Sequence, residues 1–250
     1  MDVLVIGGAN IDIKAKCAST HVSGTSNIAH ISTKFGGVGR NIAHNLARLG
    51  VNVSLLCAVG KDENGLNLLK ATAAAGVDVS ASLVTRGTTG SYLALLDHHG
   101  ELITAANDMT IIKTITAELI ASQAEKIQSA KYVLADCNLE SETLAAIVKL
   151  AGPKLIIEPV SVEKSKRMLG HAIFLATPNL DQIFATTGTR EPKSAAAILR
   201  AGGVQNLVIH AGKTGAYVAD AISFTHCDAR AEKIVDVTGA GDAATVTLRA

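Results

Sequence analysis

The chain has 250 residues, 48% of them hydrophobic, and its 23 basic and 22 acidic residues give a formal charge of +1. A chain of this size can bury a large core and is expected to fold as a soluble α/β domain with a small appendage. The balanced charge gives no electrostatic footprint for nucleic acid or a membrane surface. The four cysteines, Cys17, Cys57, Cys137 and Cys227, form no Cys-x-x-Cys pair, so neither a zinc cage nor a redox motif is readable. With no basic, apolar leader and no apolar run near the ~18 residues of a membrane span, the cytoplasm is the expected location.

Residues 3–6 form a short apolar run closed by Gly7-Gly8, as expected of a strand buried on both faces of a parallel sheet. Residues 10–16 and 29–35 alternate polar and apolar positions instead. A helical pattern follows over 39–49, then an apolar run at 53–59 and a second helical pattern at 66–75. Residues 91–96 and 101–105 again alternate, joined by Asp97-His98-His99-Gly100, a hairpin signal. Beyond them, helical patterns at 116–129, 142–150 and 193–201 alternate with apolar runs at 132–135, 155–157, 173–175 and 207–209. That rhythm predicts parallel strands with crossover helices, several of them capped by glycine at Gly50, Gly76 and Gly202. The alternating pairs predict a small β-structure beside the main sheet, with one face free to cover a ligand. No repeat or long linker divides the chain.

Asp236-Val237-Thr238-Gly239-Ala240-Gly241-Asp242 precedes a helical stretch. A glycine-rich turn at a helix start exposes main-chain N–H groups to an anion, and Thr238 can cap the helix. Asp242 then falls in the first turn, beside any bound phosphoryl group, where a carboxylate can take a hydroxyl proton as the oxygen attacks phosphorus. An acidic residue at a helix start is also ordinary dipole chemistry. The longer motif, late in an α/β chain, favours the functional reading.

This loop resembles the late Asp-Thr-x-Gly-Ala-Gly-Asp signature of the ribokinase (phosphofructokinase-B) family. Phe35-Gly36-Gly37-Val38-Gly39-Arg40-Asn41 resembles the family's early Gly-Gly-x-x-x-Asn signature, and Gly7-Gly8-Ala9-Asn10-Ile11-Asp12 its first-strand signature. Within the family, residues 36–45, 91–97, 106–109, 135–138 and 159–161 are similar to segments of bacterial pseudouridine kinases. The resemblance implies a ribokinase-like three-layer α/β fold with a mainly parallel central sheet and a small β-lid. It implies one domain over 1–250, incomplete at the C-terminus, with lid strands from about 10–35 and 89–106.

The same resemblance makes Asp242 the catalytic base, and Gly239, Ala240 and Gly241 the anion hole. It places Asn10, Asp12, Gly37 and Asn41 at the sugar, with Asn107 and Asn138 near the substrate, where strand-end asparagines are an equally good reading. Asn179, Gly212 and Gly215 would lie near the nucleotide. ATP would be the phosphoryl donor, with Mg2+ and, as an optional further ion, a monovalent cation; no metal ligands are assigned. The partner would be a small nucleoside or sugar, not nucleic acid or a membrane, and a homodimer through the lid is the family's habit.

Other motifs carry less. Gly212-Lys213-Thr214 lacks the first glycine of a P-loop, since Leu207 stands there, and Gly37-Val38-Gly39 lacks the third glycine of a dinucleotide fingerprint. Two departures from the family stand out. Gln182 occupies the position of its Asn-x-x-Glu glutamate, and the chain stops soon after Asp242, before the helices that form the adenine pocket. Glu158 stands where pseudouridine kinases carry aspartate. The expected activity is ATP-dependent phosphorylation of the pseudouridine 5′-hydroxyl; the alternatives are another sugar or nucleoside kinase of the family, or a catalytically impaired nucleoside-binding remnant.

Overall fold

A computed structural model describes residues 1–229 and 240–246. In chain order, β1 (Val3–Ile6) leads into β2 (Asn10–Cys17) and β3 (Ala29–Gly36), then α1 (Val38–Arg48), β4 (Val53–Leu56), β5 (Ala58–Gly60) and α2 (Glu63–Ala74). Three strands follow, β6 (Leu83–Thr85), β7 (Ser91–Leu96) and β8 (Leu102–Asp108), and then two short helices, α3 (Ala117–Ser122) and α4 (Ala124–Ser129). The second half alternates β9 (Tyr132–Asp136), α5 (Ser141–Ala151), β10 (Leu155–Glu158), α6 (Val162–Ser165), β11 (Ile173–Ala176), α7 (Leu180–Thr187), α8 (Pro192–Ala201) and β12 (Val204–His210). It finishes with β13 (Ala216–Ala219), β14 (Phe224–Cys227) and α9 (Ala240–Val246).

The eight-stranded central sheet has the order β14-β13-β12-β11-β10-β9-β1-β4. Strands β4 through β12 in that sheet run parallel, and β13 and β14 close one edge as an antiparallel pair. Successive side chains of a strand point to opposite faces. Leu4 and Ile6 therefore join one buried layer with Ile120, Ile127, Leu144 and Ile147, while Val3 and Val5 join the other with Ile42, Leu46 and Leu55. The result is a three-layer α/β/α arrangement. A separate four-stranded sheet, β3-β2-β7-β8, stands beside it. No helix among the described residues is long and apolar enough to cross a membrane.

Several local expectations need correction. The run 53–59 is not one strand: it breaks at Cys57, whose N–H lies 3.3 Å from the Ser82 hydroxyl while its carbonyl accepts from Leu83 N–H at 2.7 Å. β4 stays in the central sheet and β5 pairs with β6. The helix expected over 116–129 divides at Gln123 (φ −97°, ψ 14°). The glycines do end their helices as expected: Gly50 and Gly76 take left-handed angles just past α1 and α2, and Gly202 is the C-cap of α8, with the left-handed angle falling on the next residue, Gly203 (φ 110°). Strands β13 and β14, too short and mixed in burial to read from the sequence, turn on Asp220, whose Oδ1 accepts from Ile222 and Ser223 N–H at 2.7 Å each.

From β1 the chain places β4 on one side and β9 on the other, so the connection direction reverses at β1. In open parallel sheets the crevice beyond the carboxyl ends of the strands at such a reversal is where ligands bind. The residues with most chemistry lie there.

Candidate active site

Asp136 ends β9 and is completely buried. Its Oδ2 accepts from the N–H of Gly8 (2.8 Å) and of Gly39 (3.0 Å), and its Oδ1 from that of Asn138 (3.0 Å). One carboxyl group thus joins the turn after β1, the start of α1 and the turn after β9. Gly7 is glycine for the same reason, because a Cβ there would overlap the Asp136 carboxylate. Burial pushes the Asp136 carboxyl above the ordinary carboxylate range, and its N–H donors oppose that shift.

The sugar-facing residues expected from the sequence gather around this hub. Asn10 opens β2, buried, and donates its side-chain N–H to Asp12 Oδ1 at 2.6 Å. Asp12 sits against Gly36, where any Cβ would overlap its carboxylate. Gly37 caps α1 at φ 96°, packed on the Ala9 backbone so closely that only glycine fits.

Asn41, in the first turn of α1, donates through Nδ2 to Asp242 Oδ2 at 2.9 Å, across 201 residues of sequence. Arg40 fixes that amide: its guanidinium donates to Asn41 Oδ1 (3.2 Å), Phe35 O (3.3 Å) and Thr72 Oγ1 (3.2 Å), which leaves the Asn41 NH2 group aimed at Asp242. Burial raises the Asp242 carboxyl to about 6; the Asn41 hydrogen bond works against the rise, and the negative charges of Asp136 and Asp12 add to it. A base must be ionised to accept a proton. Turnover is therefore expected to climb as pH rises through about 6. Asn41→Ala, by removing a bond that favours the ionised form, moves that midpoint upward, which the pH dependence of kcat/KM measures.

Asn138 follows β9, buried, with its side chain against Gly8; Lys164 Nζ donates to its Oδ1 at 2.7 Å. Arg167 braces the same turn from the carbonyls of Cys137, Asn138 and Leu139 (3.1, 3.2 and 2.5 Å). Glu158, at the end of β10, is buried and accepts from the Thr177 hydroxyl (2.6 Å) and the Thr245 hydroxyl (2.8 Å). Burial raises its carboxyl to about 7, its hydrogen bonds oppose the rise and the Asp242 charge adds to it.

Where the sequence led to the expectation of a nucleotide, Asn179 and Gln182 form a reciprocal capping box at the start of α7: Asn179 Oδ1 accepts from Gln182 N–H (2.9 Å) and Gln182 Oε1 from Asn179 N–H (2.8 Å). Gln182 is thus a buried structural amide here. Asn179 pairs with His210, and the turn after β12 carries Gly212 at φ 60° and Gly215 at φ 108°. A Cβ added at Gly212 would meet no atom within 4 Å, whereas one at Gly215 would overlap the Cys227 carbonyl. His210 Nε2 is buried and without a hydrogen-bond partner among the described residues, and burial lowers its pKa. The left-handed turn at Gly212 thus leaves open space beside the backbone. No group of three His, Cys, Asp or Glu among the described residues is placed to cage a metal ion by itself, whereas a Mg2+ carried on nucleotide phosphates needs only one or two carboxylates.

The structure brings Asn10, Asp12, Gly37, Asn41 and Asp242 to one edge, with Asn138 beside Gly8. Asn107 is exposed on β8 opposite Tyr92, which in turn stands opposite Asp12, so it shares a cross-strand row of the small sheet with Asp12. Asn179, Gly212 and Gly215 form a neighbouring group at the ends of β11 and β12. Ala240 and Gly241 begin α9, and Gly239 lies outside the described residues. Sequence reasoning missed Asp136, Thr177, Thr245 and Arg40, and noted Glu158 without giving it a role. A signal for two of them existed: Asp136 and Glu158 each put a carboxylate at the end of an otherwise apolar strand.

The sequence matches the family described as pfkB family carbohydrate kinase across residues 1–248. It is 38% identical over 251 residues to a pseudouridine kinase of Escherichia coli (strain K12), covering 96% of this chain and 80% of that protein. It is 34% identical over 226 residues to the uncharacterized sugar kinase YeiI of the same organism, covering 87% of this chain and 62% of that one. Among solved structures, a carbohydrate kinase from Agrobacterium tumefaciens superposes with a TM-score of 0.84 at 30% identity, covering 98% of this chain and 82% of that one. The ribokinase of Arabidopsis thaliana complexed with ribose and ATP shares the fold, with a TM-score of 0.84 at 20% identity over 98% of this chain and 83% of that one.

Proposed function

This chain belongs to the pfkB family of carbohydrate kinases and is an ATP-dependent kinase of a small sugar or nucleoside, and from that premise we propose that it phosphorylates the 5′-hydroxyl of pseudouridine. The observation that carries the reading is the 2.9 Å hydrogen bond between Asn41 and Asp242, which joins the helix bearing the candidate base to α1, whose cap Gly37 packs on the Ala9 backbone next to Asn10. The substrate name comes from the E. coli relative.

In the proposed reaction Asp12, oriented by Asn10, accepts hydrogen bonds from vicinal ribose hydroxyls, with Gly37 and Asn41 completing the sugar site. A substrate lacking those hydroxyls leaves the partly buried Asp12 carboxylate short of donors, which is a basis for selectivity. Asn138 and, from the lid, Asn107 supply amides that both donate and accept, as a uracil-like edge requires. Asp242 takes the hydroxyl proton while the oxygen attacks phosphorus. The main-chain N–H groups of Gly239, Ala240 and Gly241 stabilise charge on the phosphoryl oxygens. ATP, when bound, supplies the phosphoryl group, with Asn179, Gly212 and Gly215 beside its phosphates. Mg2+ dependence, a cytoplasmic location and pairing through the lid sheet belong to the same proposal.

The sugar kinase relative favours a second reading, in which the acceptor is another sugar or nucleoside. A phosphorylation assay with pseudouridine, uridine, adenosine and ribose separates the two. The expected result is product from pseudouridine with the highest kcat/KM. Efficient turnover of ribose without turnover of pseudouridine overturns it.

A further inference from the structure

Thr245 stands three residues after Asp242 on α9, so the two side chains lie on neighbouring positions one turn apart. Its hydroxyl is 2.8 Å from Glu158 Oε2 and 3.0 Å from the Gly241 carbonyl. A hydroxyl has one hydrogen to give, and the Glu158 carboxylate, when ionised, takes it in preference to a carbonyl. The same Glu158 oxygen receives the Thr177 hydroxyl at 2.6 Å, and its other oxygen receives the Val160 N–H at 3.3 Å. Those three donors come from α9, from the residue after β11 and from the turn after β10. Val160 makes its contribution from φ 68°, a conformation that costs a β-branched residue about 1–3 kcal/mol. Local strain and a buried carboxyl group are thus both present beside the helix that carries Asp242.

We propose that Glu158 is a positioning residue: through the Thr245 hydroxyl it seats α9 on the carboxyl edge of the sheet and so holds Asp242 at the attacking hydroxyl. The inference rests on the assignment of Asp242 as the base. Asp242 is otherwise tied down by Asn41, on a different helix, so the two bonds fix α9 from two sides. Misplacement of a reacting group by about 1 Å can cost on the order of 100-fold in rate. Of the proposed sugar-binding residues, Asn10 and Asp12 lie on β2 with no hydrogen bond to Glu158, Thr177 or Thr245 among the described residues, and Asn41, which does touch α9, is held independently by Arg40, so the latch is expected to act on turnover more than on nucleoside binding.

The test is steady-state kinetics on Thr245→Val, Thr245→Ser, Glu158→Leu and Glu158→Gln, with Asp242→Asn in parallel and thermal unfolding of each. The Val and Leu variants are expected to lose about 10- to 100-fold in kcat with nucleoside KM within about twofold. Ser and Gln, which keep a hydrogen-bonding partner in place, are expected within about threefold of the parent kcat. An unchanged kcat in Thr245→Val overturns the proposal, as does a KM that rises in step with the loss of kcat, or a serine variant no better than valine. Should Glu158→Leu fail to fold, the near-isosteric valine and the serine at 245 decide between these outcomes. Full turnover by Asp242→Asn would instead remove the base assignment and this inference with it. An inactive Asp242→Asn beside a fully active Thr245→Val removes the latch alone.

Discussion

Asp242→Asn is expected to lower kcat by about 10²- to 10⁴-fold, the usual worth of a positioned general base, with little loss of stability. The amide has nearly the carboxylate's shape, and its oxygen can still accept from Asn41 Nδ2, whose own orientation is held by Arg40. What disappears is the capacity to take the hydroxyl proton. Initial rates at saturating ATP and nucleoside, together with thermal unfolding, measure both quantities. A variant that turned over at the parent rate would exclude Asp242 as the base. The raised carboxyl pKa sharpens the expectation further: a base held near 6 by burial is a stronger proton acceptor than an ordinary aspartate and is still ionised at neutral pH.

Asp136→Ala is expected to be the most damaging substitution for the fold, at about 3–5 kcal/mol. It strips the acceptor from the N–H groups of Gly8, Gly39 and Asn138 at once. A domain with a total stability of about 5–15 kcal/mol would lose a large share of it, as urea denaturation will register. Asp136→Asn separates the contributions. Its oxygen can serve Gly8 and Gly39, but its NH2 group then faces the Asn138 N–H donor, so an intermediate loss of about 1–3 kcal/mol is expected. If Asp136→Ala unfolded at the same urea concentration as the parent, the hub assignment would be wrong.

The regularities visible in the chain were those with a local cause. Val3–Ile6 closed by Gly7-Gly8, and the helix that follows Gly37, depend on apolar period and on glycine at strained turns, both of which one segment displays by itself. The hairpin at Asp97 is similar, since Asp97 Oδ1 accepts from the N–H groups of His99, Gly100 and Glu101 within the turn. Thr177 and Thr245 carried no such mark. Each is an ordinary residue until the fold sets it against Glu158, 19 and 87 residues away in sequence.

By itself the sequence determined the α/β rhythm, the second small β-structure and the family, because hydrophobic period and motif spacing are properties of contiguous residues. It also singled out Asp242 as a candidate base. Only the tertiary structure decided how that carboxylate is held: by Asn41 from α1, by Thr245 through Glu158, and beside a hub at Asp136 whose N–H partners Gly8 and Gly39 lie 128 and 97 residues away in sequence. Gln182 is the exception: a missing charge when read against the family motif, it is half of a local capping box with Asn179 three residues before it. The physical reason is common to the other cases. A buried polar group takes its role from the partners that satisfy it, and those partners are chosen by the packing of strands and helices far apart in the chain.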